Sequence, residues 1–179
     1  MQEKSDVIHG HVISQIIEDD GVFPNNSKYS LLVYKGSLLL HPNDEPESII
    51  EKFRENNWTA AWKDGIYSYH HYHSNSHEVI GVYCGTADVQ FGGEEGICVE
   101  LTRGDVVVIP AGVAHKCLKA TGDFLCIGAY PDGAAYDVNY GKAEERAEAD
   151  RNIAAVPVPD RDPLFGADGP LRVHWATKA

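Results

Sequence analysis

The sequence predicts an all-β domain whose antiparallel strands pack as a sandwich or close into a barrel. Between residues 58 and 131, short segments of apolar or alternating character follow one another at regular spacing. Glycine-rich turns separate them, as at Gly85, Gly104, Gly112 and Gly122. Many short strands with such punctuation are typical of antiparallel sandwiches and barrels.

Seven strands are predicted in this middle zone, which we expect to form the barrel core. They span Ile66 to His73, Val79 to Tyr83, Ala87 to Phe91, Ile97 to Leu101, Asp105 to Ile109, His115 to Lys119 and Phe124 to Ala129.

Residues 7–57 are predicted to add two strands and one short helix to the barrel. The apolar runs Val12 to Ile17 and Tyr29 to Leu40 have the character of strands. Between Pro46 and Asn57, the apolar residues Ile49, Ile50 and Phe53 recur at helical spacing, which indicates an amphipathic helix.

Residues 140–179 are predicted to form a helix followed by an extended tail. The helix, from about Lys142 to Ala154, consists largely of Ala, Glu and Arg. Prolines then keep Val156 to Pro159 and Asp162 to Gly166 out of helical conformation, because proline lacks a backbone donor and restricts its predecessor. We expect the tail to wrap the barrel or a partner subunit, and residues 1–179 to form one domain.

Charge and hydropathy exclude some classes of partner. Fifteen basic and 27 acidic side chains give a net charge of −12, which repels nucleic-acid phosphates and anionic membrane surfaces. Every apolar run is far shorter than the roughly 20 residues that a membrane-spanning helix needs. We therefore expect a soluble protein that binds neither nucleic acid nor membranes.

The cysteines indicate a reducing compartment. Cys84, Cys98, Cys117 and Cys126 are scattered and form no CxxC pair. The chain starts with the polar segment Met1 to Asp6, and no apolar signal region follows it. A cytoplasmic location is the expectation.

A group of histidines and one glutamate has the spacing of a metal site. His71 and His73 are two residues apart in a strand-like segment, so their side chains share a face about 6–7 Å apart. Glu78 follows a short turn, and His115 follows the turn at Pro110 to Gly112. Three nitrogens and one carboxylate suit a divalent first-row metal and leave positions open for water or substrate.

These residues also carry a resemblance to the cupin superfamily. Gly65, His71, His73, Glu78 and Gly85 match the first cupin motif at every defined position.

The second motif matches through Gly104, Pro110, Gly112 and His115, whereas Lys119 stands where the motif has Asn. Together the motifs cover residues 65–119, about a third of the chain.

The resemblance implies a jelly-roll barrel that holds one divalent metal, such as Fe, Mn, Ni or Zn, inside its mouth. By motif position the ligands are His71, His73, Glu78 and His115. No organic cofactor site is predicted. Lys119 departs from the motif at a position that is not a ligand, so we expect it to affect the turn or the pocket wall rather than the metal set.

Several neighbouring residues keep other roles open. His77 adjoins Glu78 and could assist or replace it as a ligand. Tyr69, Cys117 and Lys119 are candidates for the pocket, where they would act on substrate or on water. His70 should point to the face opposite His71, because side chains alternate along a strand.

Two functional hypotheses follow from these patterns. The first is a metal-dependent enzyme, either a dioxygenase or an isomerase or lyase, that acts on a small oxygenated metabolite. The second is a non-catalytic cupin that binds a metal or small ligand in a structural or sensing role. The long N-terminal apolar strands and the proline-rich tail also suit a homodimer.

Overall fold

The computed structural model describes residues 7–176, and residues 1–6 and 177–179 lie outside the described part. The expectation of a cytoplasmic location rests partly on the segment Met1 to Asp6, which lies outside the described residues.

Nine strands and three α-helices form over the described residues. Their order is β1 (Val12–Ile17), β2 (Asn26–Tyr34), α1 (Glu47–Glu55), β3 (Trp58–Asp64), β4 (Glu78–Cys84), β5 (Thr86–Phe91), β6 (Ile97–Thr102), β7 (Val106–Ile109), β8 (His115–Ala120), β9 (Leu125–Pro131), α2 (Arg146–Ala155) and α3 (Pro170–His174). The predicted all-β fold is confirmed.

Two antiparallel sheets enclose the main core. One has six strands in the order β1-β2-β7-β4-β9-β3, and the other has three in the order β6-β5-β8. Buried side chains from both sheets form a single cluster, which includes Leu31, Val33, Ile80, Val107, Val89, Phe91 and Leu101. The sheets therefore face each other, as in a jelly-roll barrel.

The six-stranded sheet is also buried on its outer face. Ile49 and Phe53 of α1 pack there with Leu164, Leu171 and Trp175 of the C-terminal segment. Burial on both faces explains why β7 is an unbroken apolar run whose four residues are all buried.

The C-terminal tail wraps its own barrel, which was one of the two predicted arrangements. Asp162 is fully buried and its carboxylate holds the tail together. The hydroxyl of Tyr34 donates to Oδ2 at 2.6 Å, and the backbone N–H groups of Leu164, Phe165 and Leu171 donate to the same carboxylate.

The helices are close to their predicted positions. α1 lies within the expected range, and a 3-10 turn at Ala143–Glu145 starts the helical segment that continues as α2. α3 was not predicted, because the whole segment after α2 was expected to be extended; Pro170 lies in the first turn of this helix, where proline is tolerated. No helix among residues 7–176 combines the length and apolar character needed to cross a membrane.

The largest difference from the prediction concerns residues 58–73. The predicted strand Ile66 to His73 is irregular, with isolated bridges only at His71 and Tyr72. The regular strand lies earlier, at β3, where it was not predicted. Ala60 in β3 has φ +56° and the pairing register shifts between Thr59 and Trp62, so a bulge interrupts the alternation that marks a strand.

Candidate metal centre

Three of the four predicted ligands form one group of donor atoms, and the fourth, Glu78, lies beside two of them. Ring nitrogens of His71, His73 and His115 lie within 4.8 Å of one another. The Glu78 carboxylate is 3.6 Å from Nε2 of His73 and 3.4 Å from Nε2 of His115. All four side chains are buried.

Backbone pairing brings these residues together. Glu78 begins β4 and His115 begins β8. The segment with His71 and His73 pairs with the start of β8. The backbone N–H of His71 donates to the carbonyl of His115 at 3.3 Å, and the backbone N–H of His115 donates to the carbonyl of His71 at 2.9 Å. The backbone N–H of Gly112 donates to the carbonyl of His73 at 2.8 Å.

Gly112 explains part of the second motif. Its φ is +95°, and a Cβ there would lie 2.4 Å from the carbonyl oxygen of Asn25. The side chain of Asn25 accepts from the backbone N–H of Ala114 at 3.2 Å and so holds the turn that leads to His115. Only glycine allows this approach of the two backbones.

Each of the three histidines has its Nδ1 next to a backbone carbonyl. The partners are Tyr69 O at 3.1 Å for His71, Asp137 O at 2.5 Å for His73 and Val113 O at 3.1 Å for His115. Because a carbonyl only accepts, Nδ1 carries the proton and the Nε2 lone pair stays free. This arrangement is typical of metal-binding histidines.

The charge state of the cluster also suits a cation. Burial, together with His115, lowers the pKa of His71 to about 3, and burial lowers the pKa of His73. Burial opposes ionisation of Glu78, but His73, His115 and Tyr130 together hold its pKa at about 2. At neutral pH the imidazoles of His71 and His73 are therefore neutral and lie beside the Glu78 carboxylate. The histidine triad fits a divalent metal by its donors and its charge.

Tyr130 and Trp62 form a hydrogen-bonded chain that ends on the Glu78 carboxylate. The hydroxyl of Tyr130 donates to Glu78 Oε2 at 2.6 Å and accepts from the indole N–H of Trp62 at 2.8 Å. Gly128 makes room for this indole, because a Cβ there would lie 2.1 Å from the Trp62 ring. Sequence reasoning missed both aromatic residues, although two tryptophans close together in a β zone were a possible signal.

Asp137, in the loop after β9, holds the residues that follow His73. Its carboxylate accepts from the backbone N–H of Ser74 at 2.7 Å, from the Ser74 hydroxyl and from the amide of Asn139 at 3.0 Å. Its backbone carbonyl accepts a hydrogen bond from Nδ1 of His73. Asn152 of α2 donates to the Ser74 hydroxyl at 3.1 Å and links the helix to the same network.

A cavity of about 190 Å³ opens beside the donor atoms. Its lining combines the four predicted ligands with aromatic and aliphatic walls: Trp62, Lys63, Asp64, Gly65, Ile66, Tyr67, His71, His73, Glu78, Ile80, His115, Tyr130 and Tyr136.

The three other pocket candidates lie outside this lining. Tyr69 is 41% exposed at the mouth, where its ring is 5.7 Å from that of His71. Cys117 packs with the main core on β8, and Lys119 is exposed on the same strand.

The two histidines next to the predicted ligands point elsewhere. His77 is buried and uses both nitrogens, since Nδ1 accepts from the backbone N–H of Ala111 at 2.9 Å and Nε2 donates to the carbonyl of Pro157 at 3.1 Å. His77 therefore has no lone pair for a metal. His70 pairs with exposed Glu94 at 3.0 Å, on the opposite side of the segment from His71.

Comparisons with known proteins agree with this fold. The family model for the cupin domain matches residues 61–127. An uncharacterized protein of Bacillus subtilis, YjlB, is 41% identical over 157 residues, which span 88% of this chain and 92% of YjlB.

Two solved structures that the chain matches have lower identity. An acireductone dioxygenase from Bacillus anthracis with a cadmium ion in its active center is 17% identical, with a TM-score of 0.36, over 51% of this chain and 62% of that one. A DUF861 family protein from Thermotoga maritima is 18% identical, with a TM-score of 0.34, over 55% of this chain and 96% of that one.

Proposed function

Because the chain belongs to the cupin superfamily, we propose that His71, His73, Glu78 and His115 form the metal centre of an enzyme acting on a small oxygenated metabolite. The observation that carries the proposal is the position of the four donors at the wall of a cavity of about 190 Å³. Structural metal sites are closed by protein ligands, whereas catalytic sites keep a position open towards substrate. The reaction is of the dioxygenase type or of the isomerase or lyase type.

The donor set is compatible with Fe, Mn, Ni or Zn. Imidazole and carboxylate ligands accept all four ions, and the ion found in a cell depends on availability as well as affinity. A divalent ion held there would supply Lewis acidity towards a substrate oxygen and, if redox-active, electrons for reaction with O2.

The protein's own residues would prepare this site in two ways. The hydroxyl of Tyr130 orients the Glu78 carboxylate by its hydrogen bond of 2.6 Å. The rings of Trp62, Tyr67 and Tyr136 line the cavity and would displace bulk water from around a bound substrate.

Catalysis is tested by supplying the anaerobically iron-loaded protein with a panel of enols, diols and hydroxy ketones and then measuring O2 uptake. Isomerisation or cleavage is followed by NMR on samples loaded with Mn, Ni or Zn. Turnover of a panel member that His73→Ala abolishes is the expected result. Full metal occupancy without turnover of any compound would contradict the enzyme proposal and favour the non-catalytic structural or sensing role.

Asp137 is proposed as a positioning residue for His73. Replacing Asp137 with alanine removes the acceptor for Ser74 and Asn139, so the loop carbonyl that fixes the His73 ring loses its support. Loss of such supporting groups typically weakens metal binding about 10- to 100-fold. Titration with Co²⁺, followed by its visible absorption spectrum, measures the change.

Asp137→Asn is the matched conservative variant, because its side-chain oxygen can still accept from the Ser74 N–H. We expect it to recover most of the Co²⁺ affinity and the wild-type spectrum. A purely structural role for Asp137 would lower the melting temperature of Asp137→Ala and leave the Co²⁺ affinity and spectrum of the folded protein unchanged.

We also propose a homodimer formed through β1. This strand lies at the edge of the six-stranded sheet, where Ile13 and Ile16 are 39% and 37% exposed. An exposed apolar edge strand favours pairing with another chain. Light scattering should give twice the 19.7 kDa mass of the chain.

The double variant Ile13→Lys/Ile16→Lys should shift this mass to that of one chain. Val173→Lys, at a 71% exposed position of α3, should leave the dimer intact. A wild-type mass of one chain at micromolar concentration would overturn the dimer.

The proposed setting is one domain acting in the cytoplasm. All four cysteines are unpaired, which agrees with a reducing compartment. The C-terminal segment and α1 pack on the same sheet, which supports a single folding unit.

A further inference from the structure

We propose that the cavity beside the metal centre binds a neutral, hydroxylated aromatic ring. This inference rests on the proposed function, because the hydroxyl of the ring would face the donor atoms of the centre. The walls of the cavity, its mouth, its charge and its size support the proposal independently of one another.

Aromatic faces form one wall of the cavity. Tyr136 stacks on Tyr130 with ring centroids 4.5 Å apart and an interplanar angle of 19°. Tyr136 also meets His73 edge-on at 4.9 Å, so it lies directly beside one of the proposed ligands. Tyr136 is 46% exposed, so its ring is not fully covered by protein contacts. A flat aromatic ring in the cavity could extend this stack.

Three further tyrosines form a ladder at the mouth. Tyr67 stacks on Tyr69 at 5.0 Å, and Tyr69 contacts Tyr140 at 5.9 Å. Their exposed fractions are 55%, 41% and 50%. Tyr67 also lines the cavity, so the ladder continues the aromatic surface outwards. Adjoining exposed aromatic side chains of this kind are a common feature of binding surfaces.

The charges around the cavity favour a neutral ligand. Lys63 is the one lysine or arginine among the described residues that line the cavity, and Glu47 already pairs with it at 2.9 Å. Asp64 and Glu78 add acidic groups to the lining. A divalent ion in the proposed centre would be balanced by the Asp64 and Glu78 carboxylates, and Lys63 is already paired, so the lining would have no net positive charge to attract a carboxylate or phosphate on the ligand.

The size of the cavity suits a single ring. An apolar cavity of about 150 Å³ is large enough to hold benzene. The cavity here, at about 190 Å³, leaves room for one six-membered ring and a hydroxyl group. A larger ligand would have to extend along the tyrosine ladder.

The proposal is tested on zinc-loaded protein with phenol, benzoate and cyclohexanol as probes, using ligand-observed NMR to measure each Kd. Benzoate keeps the aromatic ring and adds a negative charge, whereas cyclohexanol keeps the hydroxyl and lacks the aromatic face. We expect phenol to bind at least about tenfold more tightly than either. Equal or weaker binding of phenol would overturn the proposal.

Tyr136→Leu and Tyr136→Phe form the matched pair of variants. Because an aromatic pair contributes a factor of roughly two to ten, Tyr136→Leu should weaken phenol binding by that factor, whereas Tyr136→Phe should retain it. Unchanged binding by Tyr136→Leu would contradict the stacking role.

The zinc content of each sample distinguishes a failure of the proposed metal centre from a failure of the proposed aromatic ligand. A protein without stoichiometric zinc would refute the proposed metal centre. A fully loaded protein that does not prefer phenol would refute the aromatic ligand alone.

Discussion

Alanine in place of His73 is expected to weaken metal binding strongly. The variant loses one of three convergent imidazoles and leaves the buried Glu78 carboxylate with fewer partners. Four protein ligands typically share about 10–16 kcal/mol in structural zinc sites, so losing one should weaken binding at least about a hundredfold. Isothermal titration with Zn²⁺ or Co²⁺ measures this loss directly.

The metal should also stabilise the wild-type fold and not the variant. An ion that binds only the folded state raises the free energy of unfolding with its concentration. The wild-type melting temperature should therefore rise with added Zn²⁺, and that of His73→Ala should not.

His70→Ala is the matched control, because His70 pairs with Glu94 and points away from the cluster. Its metal affinity should equal that of the wild type. If His73→Ala bound metal as tightly as His70→Ala, His73 would not be a ligand.

A second large effect is expected from Asp162→Ala. The change leaves the Tyr34 hydroxyl and three backbone N–H groups without their acceptor in a fully buried place. Hydrogen bonds to charged groups contribute about 1.5–3 kcal/mol, and orphaned buried donors add a penalty. The free energy of unfolding should therefore fall by about 3–5 kcal/mol, as measured by urea denaturation.

Asp168→Ala provides the control for this change. Asp168 lies in the same C-terminal segment but is exposed, so its loss should alter the free energy of unfolding by less than about 0.5 kcal/mol. Asp162→Asn, which keeps one oxygen acceptor, should fall between the two. A drop below about 1 kcal/mol for Asp162→Ala would show that the tail is not anchored by this carboxylate.

The location of the candidate site could be predicted because its determinants are local. Two histidines on one short segment, a glutamate after a turn and a glycine-dependent turn before His115 all act over a few residues. The strands β4 to β9 were likewise marked by short apolar segments and glycines. Their observed bounds differ from the predicted ones by only one or two residues at most ends.

The rest of the site depends on contacts between distant parts of the chain. Tyr130 reaches Glu78 across 52 positions of sequence, and Asp137 reaches Ser74 across 63. Neither the periodicity of the sequence nor a motif in it reveals contacts between residues so far apart. The sequence predicts a strand from Ile66 to His73, where the structure has an irregular segment, and it does not reveal β3, because the bulge at Ala60 interrupts the alternation of that strand.

Anomalous diffraction most directly locates the metal ion that the four predicted ligands are proposed to hold. Crystals of metal-loaded protein should be measured at the absorption edge of the ion. We expect a single strong anomalous peak between Nε2 of His71, His73 and His115 and the carboxylate of Glu78. A peak elsewhere, or no peak among these four side chains at full metal content, would contradict the proposed metal centre.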